Sequence, residues 1–333
     1  MEKRIPIWGE TIPGNRPESK RDVMDWHEEY TQEDLFMKYP GIWDKSTPEI
    51  GDLSGNDTMV YRQEIQTGLA KETYEDVPFL IPYLKEGSDR CVIICPGGAY
   101  LTKSMDSEGE HIAQFLNEAG ISAFVLWYRS YPNRAPLMYL DCQRAIRYVR
   151  FHADEFGIDP GKIGIVGFSA GGNLCGVTAL VFRNEPVEWE SYTPDEVDAV
   201  NGCVNALGMV YPAISMANDK IVAVVGSREI YEDPEQRQAF SDRYEMRTHV
   251  QEGDCPMFLC ACWDDDVVDP YLDAELAMIA SRKGVKTELH LFPYGGHGFG
   301  GCVHEQMPMF MQDWSAVKEW KGLFADWINR TFQ

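Results

Sequence analysis

The sequence is poor in basic residues and has no long hydrophobic run. Its 333 residues include 30 Lys and Arg against 53 Asp and Glu, which gives a formal net charge of −23. Such an acidic surface repels phosphate backbones and anionic lipid, so we expect no nucleic-acid and no membrane partner. No stretch approaches the roughly 18 apolar residues of a membrane helix, and we expect no signal peptide at the start.

The spacing that marks a disulfide framework or a zinc site is also missing. The nine cysteines are an odd number, form no CxxC pair and lie mostly in apolar runs, as Cys91 and Cys95 do. This usage predicts buried, reduced thiols and therefore a cytoplasmic location. Hydrophobic residues make up 44% of the chain, which excludes a disordered protein and allows a sizeable core.

Residues 1–55 differ from the rest of the chain. They are rich in proline and charge and carry the aromatic residues Trp8, Trp26, Phe36 and Trp43. Only residues 21–39 have a helical pattern, and no run predicts a strand. We therefore predict an N-terminal extension over 1–55 that caps a cleft or makes a subunit contact, possible in a homo-oligomer, and a catalytic domain over 56–333.

The second region alternates between strand and helix patterns. Short apolar runs bounded by Gly, Pro or Asp predict buried strands at 91–95, 123–127, 163–166, 204–211, 257–262 and 287–292. Helical patterns cover 108–118, 136–156, 171–182, 270–283 and 313–332. This alternation predicts an α/β fold with one doubly wound, mostly parallel sheet. An acidic, polar segment at 213–255 interrupts the rhythm and is a possible lid.

The sharpest motif is Gly-Phe-Ser-Ala-Gly at 167–171, between a predicted strand and a predicted helix. An abrupt turn from strand to helix exposes the serine hydroxyl, and glycines leave room where side chains would collide. The N-terminus of the following helix favours developing negative charge. Ser169 is therefore the candidate nucleophile.

A serine nucleophile needs a base and an acid that orients it. Among the seven histidines, His297 stands in a glycine-rich loop directly after the last predicted strand. The chain order serine, acid, histidine places the acid after the preceding strand, where Asp264, Asp265 and Asp266 follow one another. Spacing alone leaves all three aspartates open.

A tetrahedral intermediate also needs donors for its oxyanion. The predicted strand 91–95 is followed by Pro-Gly-Gly-Ala-Tyr at 96–100. A backbone N–H of this turn, together with that of Ala170, is predicted to hold the oxyanion. The candidate substrate-binding residues are Tyr100, at the end of this turn, and Trp263, directly before the three aspartates. No metal and no organic cofactor is implied.

Three segments together resemble the α/β-hydrolase esterases, and most of all the bacterial acetyl-esterase and bifunctional carbohydrate-esterase group. They are CPGGAYLTKSMDSEGEHIA, DPGKIGIVGFSAGGNL and ELHLFPYGGHGFG. The first resembles that group's Pro-Gly-Gly-Gly-Tyr segment with its downstream Glu-Gly, the second its serine turn, and the third its histidine loop. The resemblance extends from about residue 78 to 299 and implies the α/β-hydrolase fold.

The resemblance also implies roles for single residues. It makes Ser169 the nucleophile, His297 the base and Asp265 the acid, because the group's aspartate precedes one residue and then Val-Val. Asp264 and Asp266 remain the alternatives. Gly98, Ala99 and Ala170 fall at the oxyanion positions of the group.

The sequence departs from the group's pattern at three places. Ala99 replaces the usual third glycine, Asp269 stands where a proline is usual, and residues 1–55 have no counterpart. These departures leave the catalytic groups in place but affect substrate specificity. The resemblance implies a serine esterase acting on a small ester, with acetylated hemicellulose-derived oligosaccharides as the expected substrate.

Other functions fit parts of the pattern. A feruloyl or short-chain carboxylesterase shares all the motifs, and a prolyl-oligopeptidase-type peptidase shares the serine turn and the chain order. A non-catalytic binding protein of the same fold is the alternative outside enzymes. Residues 296–301 match GxGxxG, and His297, Cys302 and His304 imitate a metal cluster, but neither has the surrounding pattern that such a site requires.

Overall fold

One eight-stranded sheet organises the molecule. A computed structural model describes residues 4–14, 77–100, 103–130, 133–190, 192–217, 219–302 and 314–333. The strands within these residues are Ile5–Pro6 (β1), Phe79–Tyr83 (β2), Cys91–Cys95 (β3), Ser122–Trp127 (β4), Ile163–Phe168 (β5), Ala206–Val210 (β6), Met257–Cys262 (β7) and Thr287–Phe292 (β8).

Helices connect the strands and pack against the sheet. They are His111–Glu118 (α1), Leu137–Phe151 (α2), Ala153–Phe156 (α3), Ala170–Val177 (α4), Asp219–Val225 (α5), Arg228–Glu232 (α6), Pro234–Arg243 (α7), Met246–His249 (α8), Pro270–Arg282 (α9) and Trp320–Thr331 (α10). Two π-helical turns, at Asp106–Glu110 and Thr178–Phe182, and a 3₁₀ turn at Val317–Glu319 complete the described helical structure.

The strand order across the sheet is β1-β2-β4-β3-β5-β6-β7-β8. Every pairing from β4 onwards is parallel, and only β1 with β2 and β2 with β4 are antiparallel. The prediction of an α/β fold with a mostly parallel sheet is confirmed. The carboxyl ends of β3, β5, β7 and β8 share one edge of the sheet, which brings together the loops that carry the candidate site.

The six predicted strands are all present, and three of them have the predicted bounds. β3, β5 and β7 are buried along their whole length, because a central parallel strand is covered on both faces. Continuous apolar runs of this kind are the signal that sequence patterns detect best. The predicted helix over 136–156 is divided in the structure, since α2 ends at Phe151 and α3 begins at Ala153.

The prediction that residues 1–55 contain no strand is wrong. Ile5 and Pro6 pair with Leu80 and Phe79 of β2 and extend the sheet at its antiparallel edge. Two residues are too few for a hydrophobic pattern, so only the pairing with a distant strand defines them. The predicted helix over 21–39, Trp26, Phe36, Trp43 and the boundary at residue 55 lie outside the described residues.

A buried ion pair binds the residues that follow the N-terminal strand. Arg129 and Asp141 are at most 1% exposed, and the guanidinium donates to both carboxylate oxygens at 2.7 and 2.9 Å. The Trp8 indole donates to the same carboxylate at 2.8 Å, and Arg129 also donates to the carbonyl of Pro13. One carboxylate on α2 therefore connects Trp8 and, through Arg129, Pro13 to the helix that follows β4.

Four short helices, α5 to α8, lie in the predicted lid segment 213–255, between β6 and β7. The helix α7 has no buried residue, whereas Met246 of α8 is buried. Among the described residues, no helix combines the length and apolarity needed to cross a bilayer. All nine cysteines are described and carry free thiols.

We predict that the Arg129–Asp141 pair contributes much more to stability than a surface pair does. Asp141→Asn leaves the buried guanidinium without its counter-charge and should lower the free energy of unfolding by about 3–5 kcal/mol. The control is Asp89→Asn, because Asp89 is 49% exposed in its pair with Lys162 and its loss should cost at most about 1 kcal/mol. Urea unfolding followed by circular dichroism measures both, and equal shifts would contradict the prediction.

Candidate active site

Ser169 occupies the tip of the turn between β5 and α4. Its backbone has φ 52° and ψ −118°, a conformation that costs a non-glycine residue about 1–3 kcal/mol. The glycines on either side permit this turn. A Cβ on Gly167 would lie 2.0 Å from the carbonyl oxygen of Gly171, and a Cβ on Gly171 would lie 2.0 Å from that of Cys95. No larger residue fits at either position.

His297 lies within hydrogen-bond distance of this serine. Its Nε2 is 2.8 Å from Ser169 Oγ, and its Nδ1 is 2.8 Å from Asp265 Oδ2. The imidazole is 8% exposed, and the Asp265 carboxylate is fully buried. Because the carboxylate accepts a hydrogen bond from Nδ1–H, Nε2 is left with a lone pair facing the serine hydroxyl.

The three neighbouring aspartates differ in what they contact. The second carboxylate oxygen of Asp265 accepts hydrogen bonds from the amides of Val267 and Val268 at 2.9 and 3.0 Å. These bonds fix the orientation of the carboxylate towards the histidine ring. Asp264 accepts the amides of Gly295 and Gly296 at 3.3 and 2.8 Å.

Asp264 therefore supports the backbone of the histidine loop, while Asp266 is exposed to solvent. Of the three carboxylates, only that of Asp265 faces the imidazole. The structure thus brings Ser169, His297 and Asp265 into one hydrogen-bonded line.

The loop after β3 lies over the serine. Gly98, Ala99 and Tyr100 have φ values of 136°, 55° and 58°, so three successive residues adopt left-handed conformations. The loop begins very close to the nucleophile, because a Cβ on Gly97 would lie 3.0 Å from the Cβ of Ser169. Gly98 and Ala99 are therefore beside the turn where the sequence predicts oxyanion donors.

Ala170, the other predicted donor, follows Ser169 directly in the chain. It is the first residue of α4, so its amide has no acceptor within the helix and points out of the helix N-terminus. The positive end of the helix dipole adds to the attraction for negative charge there. The predicted donors thus come from two segments, the loop after β3 and the start of α4.

The two predicted substrate-binding residues are in different environments. Trp263 is 44% exposed at the end of β7, and its ring lies 5.1 Å from that of Tyr271, which is 68% exposed. Tyr100 is only 1% exposed and donates its hydroxyl to Asn173 Oδ1 at 2.7 Å. This burial does not fit a direct substrate contact, because almost none of the residue is accessible and its hydroxyl is already bonded to Asn173.

Two polar residues that the motifs did not assign are buried beside the site. Glu108 accepts the amide of Gly97 at 2.6 Å and the hydroxyl of Tyr211 at 2.8 Å. Burial raises the pKa of Glu108, although hydrogen bonds from Tyr211 and Gly97 and the nearby His297 oppose the rise. The Glu-Gly pair at 108–109 was the available sequence signal, whereas nothing in the sequence distinguishes Tyr211.

The other loop motifs have ordinary structural places. The GxGxxG match at 296–301 forms the histidine loop after β8, and no strand follows it among the described residues. Three residues, His297, Cys302 and His304, have the side-chain types of a metal site. His297 makes hydrogen bonds with Ser169 and Asp265, Cys302 is half-buried, and His304 lies outside the described residues.

The chain resembles known esterases in sequence. Residues 79–278 match the protein-family model described as BD-FAE. Acetylxylan esterase of Xylanibacter ruminicola is 29% identical in an alignment of 247 positions that covers 71% of this chain and 47% of that protein. Endo-1,4-beta-xylanase B of Butyrivibrio fibrisolvens is 27% identical over 89% of this chain and 44% of its own length. The chain spans about half the length of both curated relatives.

A solved structure is similar over nearly the whole chain. The acetyl ester-xyloside bifunctional hydrolase from Caldicellulosiruptor lactoaceticus is 26% identical, with a TM-score of 0.64, over 99% of this chain and 96% of that protein. The family match covers more than half of the sequence and the residues of β2 to β7. The chain therefore belongs to the BD-FAE family, and its domain has the α/β-hydrolase fold of carboxylic ester hydrolases.

Proposed function

We propose that the protein removes acetyl groups from acetylated, hemicellulose-derived oligosaccharides through an acyl-enzyme on Ser169. The observation that carries the chemistry is the line of two 2.8 Å hydrogen bonds from Asp265 through His297 to Ser169. The names of two relatives, an acetylxylan esterase and an acetyl ester-xyloside hydrolase, support the choice of acyl group and sugar.

In this mechanism His297 Nε2 takes the hydroxyl proton as Ser169 Oγ attacks the ester carbonyl. Asp265 stabilises the imidazolium through Nδ1–H. The tetrahedral intermediate collapses when the same proton passes from Nε2 to the leaving sugar oxygen. A water molecule then attacks the acetyl-serine in the same way, and acetate leaves as Ser169 regains its proton.

The oxyanion of each intermediate is held by the amide of Ala170 and by the amides of Gly98 and Ala99. Each such donor contributes about 3 kcal/mol to transition-state stabilisation in related chemistry. Ala99 adopts φ 55° in spite of its Cβ, and its methyl group takes up space that glycine would leave open. We therefore propose that this substitution narrows the acyl pocket and favours a short acyl group.

The exposed aromatic pair Trp263 and Tyr271 is our candidate sugar platform. Trp263 donates its backbone amide to the Phe292 carbonyl at 2.8 Å, which places it beside the start of the histidine loop. Aromatic faces bind the apolar faces of sugars and also planar phenolic rings. The same pair therefore favours, as a second candidate, a feruloyl esterase.

We also propose that residues 213–255 form a lid over the site and that the enzyme acts in the cytosol. Ala213, where the predicted lid begins, donates its amide to the Ser169 carbonyl at 3.1 Å. A segment that starts beside the nucleophile is well placed to cover it. A reducing cytosol is where short imported oligosaccharides would meet the enzyme. Tyr100, being buried, is proposed to support the oxyanion loop and not to contact the sugar.

Ser169→Ala tests the nucleophile. The variant should lower ester turnover by about 10⁴-fold or more and leave the fold intact, because it removes only one hydroxyl oxygen. Mass spectrometry of acetylated xylo-oligosaccharides should show stepwise loss of acetyl groups with the wild type and none with the variant. Equal turnover by both proteins would reject Ser169, and intact oligosaccharides with the wild type would reject the acetyl-sugar substrate.

Changing each aspartate to asparagine tests the acid. Asp265→Asn should lower kcat by about 10³- to 10⁴-fold, because the amide favours the wrong histidine tautomer. Asp266→Asn, at an exposed position, is the control and should stay within about twofold of the wild type. Asp264→Asn should give an intermediate loss, since it weakens two bonds to the histidine loop. A larger loss in Asp264→Asn than in Asp265→Asn would reassign the acid.

Trp263→Ala tests the sugar platform. It should raise KM for acetylated xylo-oligosaccharides by about 3- to 10-fold, because the loss of one aromatic contact weakens binding by about that factor. It should leave the hydrolysis of 4-nitrophenyl acetate unchanged, because that substrate has no sugar. Phe151→Ala is the matched control, because Phe151 is 43% exposed at the end of α2. A raised KM for methyl ferulate alone would favour the feruloyl candidate, and no change with any substrate would reject the platform.

A further inference from the structure

Glu108 is a buried carboxylate that the proposed mechanism does not use. It lies in the π-helical turn Asp106–Glu110, is 5% exposed, and uses both of its oxygens. Oε2 accepts the Gly97 amide at 2.6 Å, and Oε1 accepts the Tyr211 hydroxyl at 2.8 Å. Two donors facing two oxygens fit the ionised carboxylate, which only accepts hydrogen bonds.

The contact with Gly97 fixes the start of the oxyanion loop. The Gly97 amide donates to Glu108, and its carbonyl accepts the amide of Ser104 at 3.0 Å. Both polar groups of this residue are therefore engaged on the side of the π-helical turn. Gly98 and Ala99 follow immediately, so the direction of their amides depends on how Gly97 is held.

The second oxygen of Glu108 leads to the histidine loop. The Tyr211 hydroxyl that it accepts is itself the acceptor for the Gly300 amide at 2.8 Å. The Tyr211 ring lies 4.8 Å from the His297 ring, and the turn makes a second contact when Ser107 accepts the Gly301 amide at 2.9 Å. A single side chain thus connects the loop after β3 with the loop after β8.

Glycines in both loops pack closely against this side chain. A Cβ on Gly97 would lie 2.9 Å from Glu108 Oε2, and a Cβ on Gly300 would lie 2.9 Å from Glu108 Cγ. Gly300 also has φ 33°, in the left-handed region. The backbones of both loops therefore pack directly against the Glu108 side chain, and a side chain at either glycine would collide with it.

We propose that Glu108 is a positioning residue that holds the oxyanion loop and the histidine loop in register with Ser169, acting through Gly97 on one side and Tyr211 on the other. Its effect is on the transition state, because the oxyanion donors contact the substrate fully only after the carbonyl becomes tetrahedral. The inference rests on the proposed function of Ser169 and its oxyanion donors.

The test compares Glu108→Gln with Tyr211→Phe. Glutamine keeps one oxygen that can accept the Gly97 amide. Its NH2 group cannot accept a hydrogen bond, so the Tyr211 hydroxyl loses the acceptor to which it donates. Phenylalanine removes the hydroxyl and leaves the Gly300 amide without its acceptor. Active sites are counted by stoichiometric phosphorylation with an organophosphate, so that every rate refers to folded, reactive enzyme. Esterase kinetics and inhibition by an arylboronic acid, which forms a tetrahedral adduct on the serine, are then measured.

We expect kcat per active site to fall by about 10- to 100-fold in Glu108→Gln, the cost of a misplacement near 1 Å, with KM within about twofold. The inhibition constant of the boronate should rise by a similar factor, because its adduct needs the same donors. Tyr211→Phe should show the same pattern with a smaller loss. The double variant should lose less than the product of the single losses, because the two residues share one path.

Tyr192→Phe is the matched control. The Tyr192 hydroxyl donates to the Asp198 carboxylate at 2.5 Å and its ring packs against Trp8, so this variant removes the same kind of hydrogen bond from a tyrosine that bonds to neither loop. It should change kcat and the boronate constant by no more than about twofold. A lower melting temperature with unchanged kcat per active site in Glu108→Gln would overturn the inference.

The outcomes separate this inference from the function on which it rests. If Glu108→Gln does not fold, unchanged kcat and boronate binding in Tyr211→Phe would equally overturn the inference. If the wild type hydrolyses no ester, or if Ser169→Ala keeps full activity, the proposed function fails instead. Wild-type ester hydrolysis that Ser169→Ala abolishes establishes the proposed role of Ser169 before the Glu108 variants are compared.

Discussion

The close approach of three backbone segments at the serine turn is the constraint on which the site depends. Gly167, Gly171 and the end of β3 at Cys95 leave no space between them for a side chain. This contact holds Ser169 in a left-handed conformation directly before α4, whose first amide is that of Ala170. The proposed nucleophile and one proposed oxyanion donor are therefore consequences of a single packing arrangement.

Carboxylates hold the remaining loops around that turn. A loop has no ladder to satisfy its amides, so each buried N–H needs another acceptor. Asp264 accepts two amides of the histidine loop, Asp265 accepts the amides of Val267 and Val268, and Glu108 accepts that of Gly97. Charged acceptors make the stronger hydrogen bonds, so a few acidic side chains keep these loops rigid.

Exposure differs between the proposed catalytic centre and the aromatic pair proposed to bind the sugar. The Asp265 and His297 side chains are nearly inaccessible, whereas Trp263 is 44% and Tyr271 68% exposed. The proposed sugar platform can therefore be reached from solvent, while the line of hydrogen bonds is shielded from it.

The sequence by itself determined the fold class, the parallel strands and the turn that carries Ser169, because buried strands and the GxSxG turn are local patterns. It also indicated His297 from its place after the last strand. Spacing left three aspartates open, and only a resemblance favoured Asp265. The tertiary structure decided which of them meets the imidazole, and it placed Glu108 against two loops. Those contacts join residues far apart in the chain, so they depend on how the strands are paired.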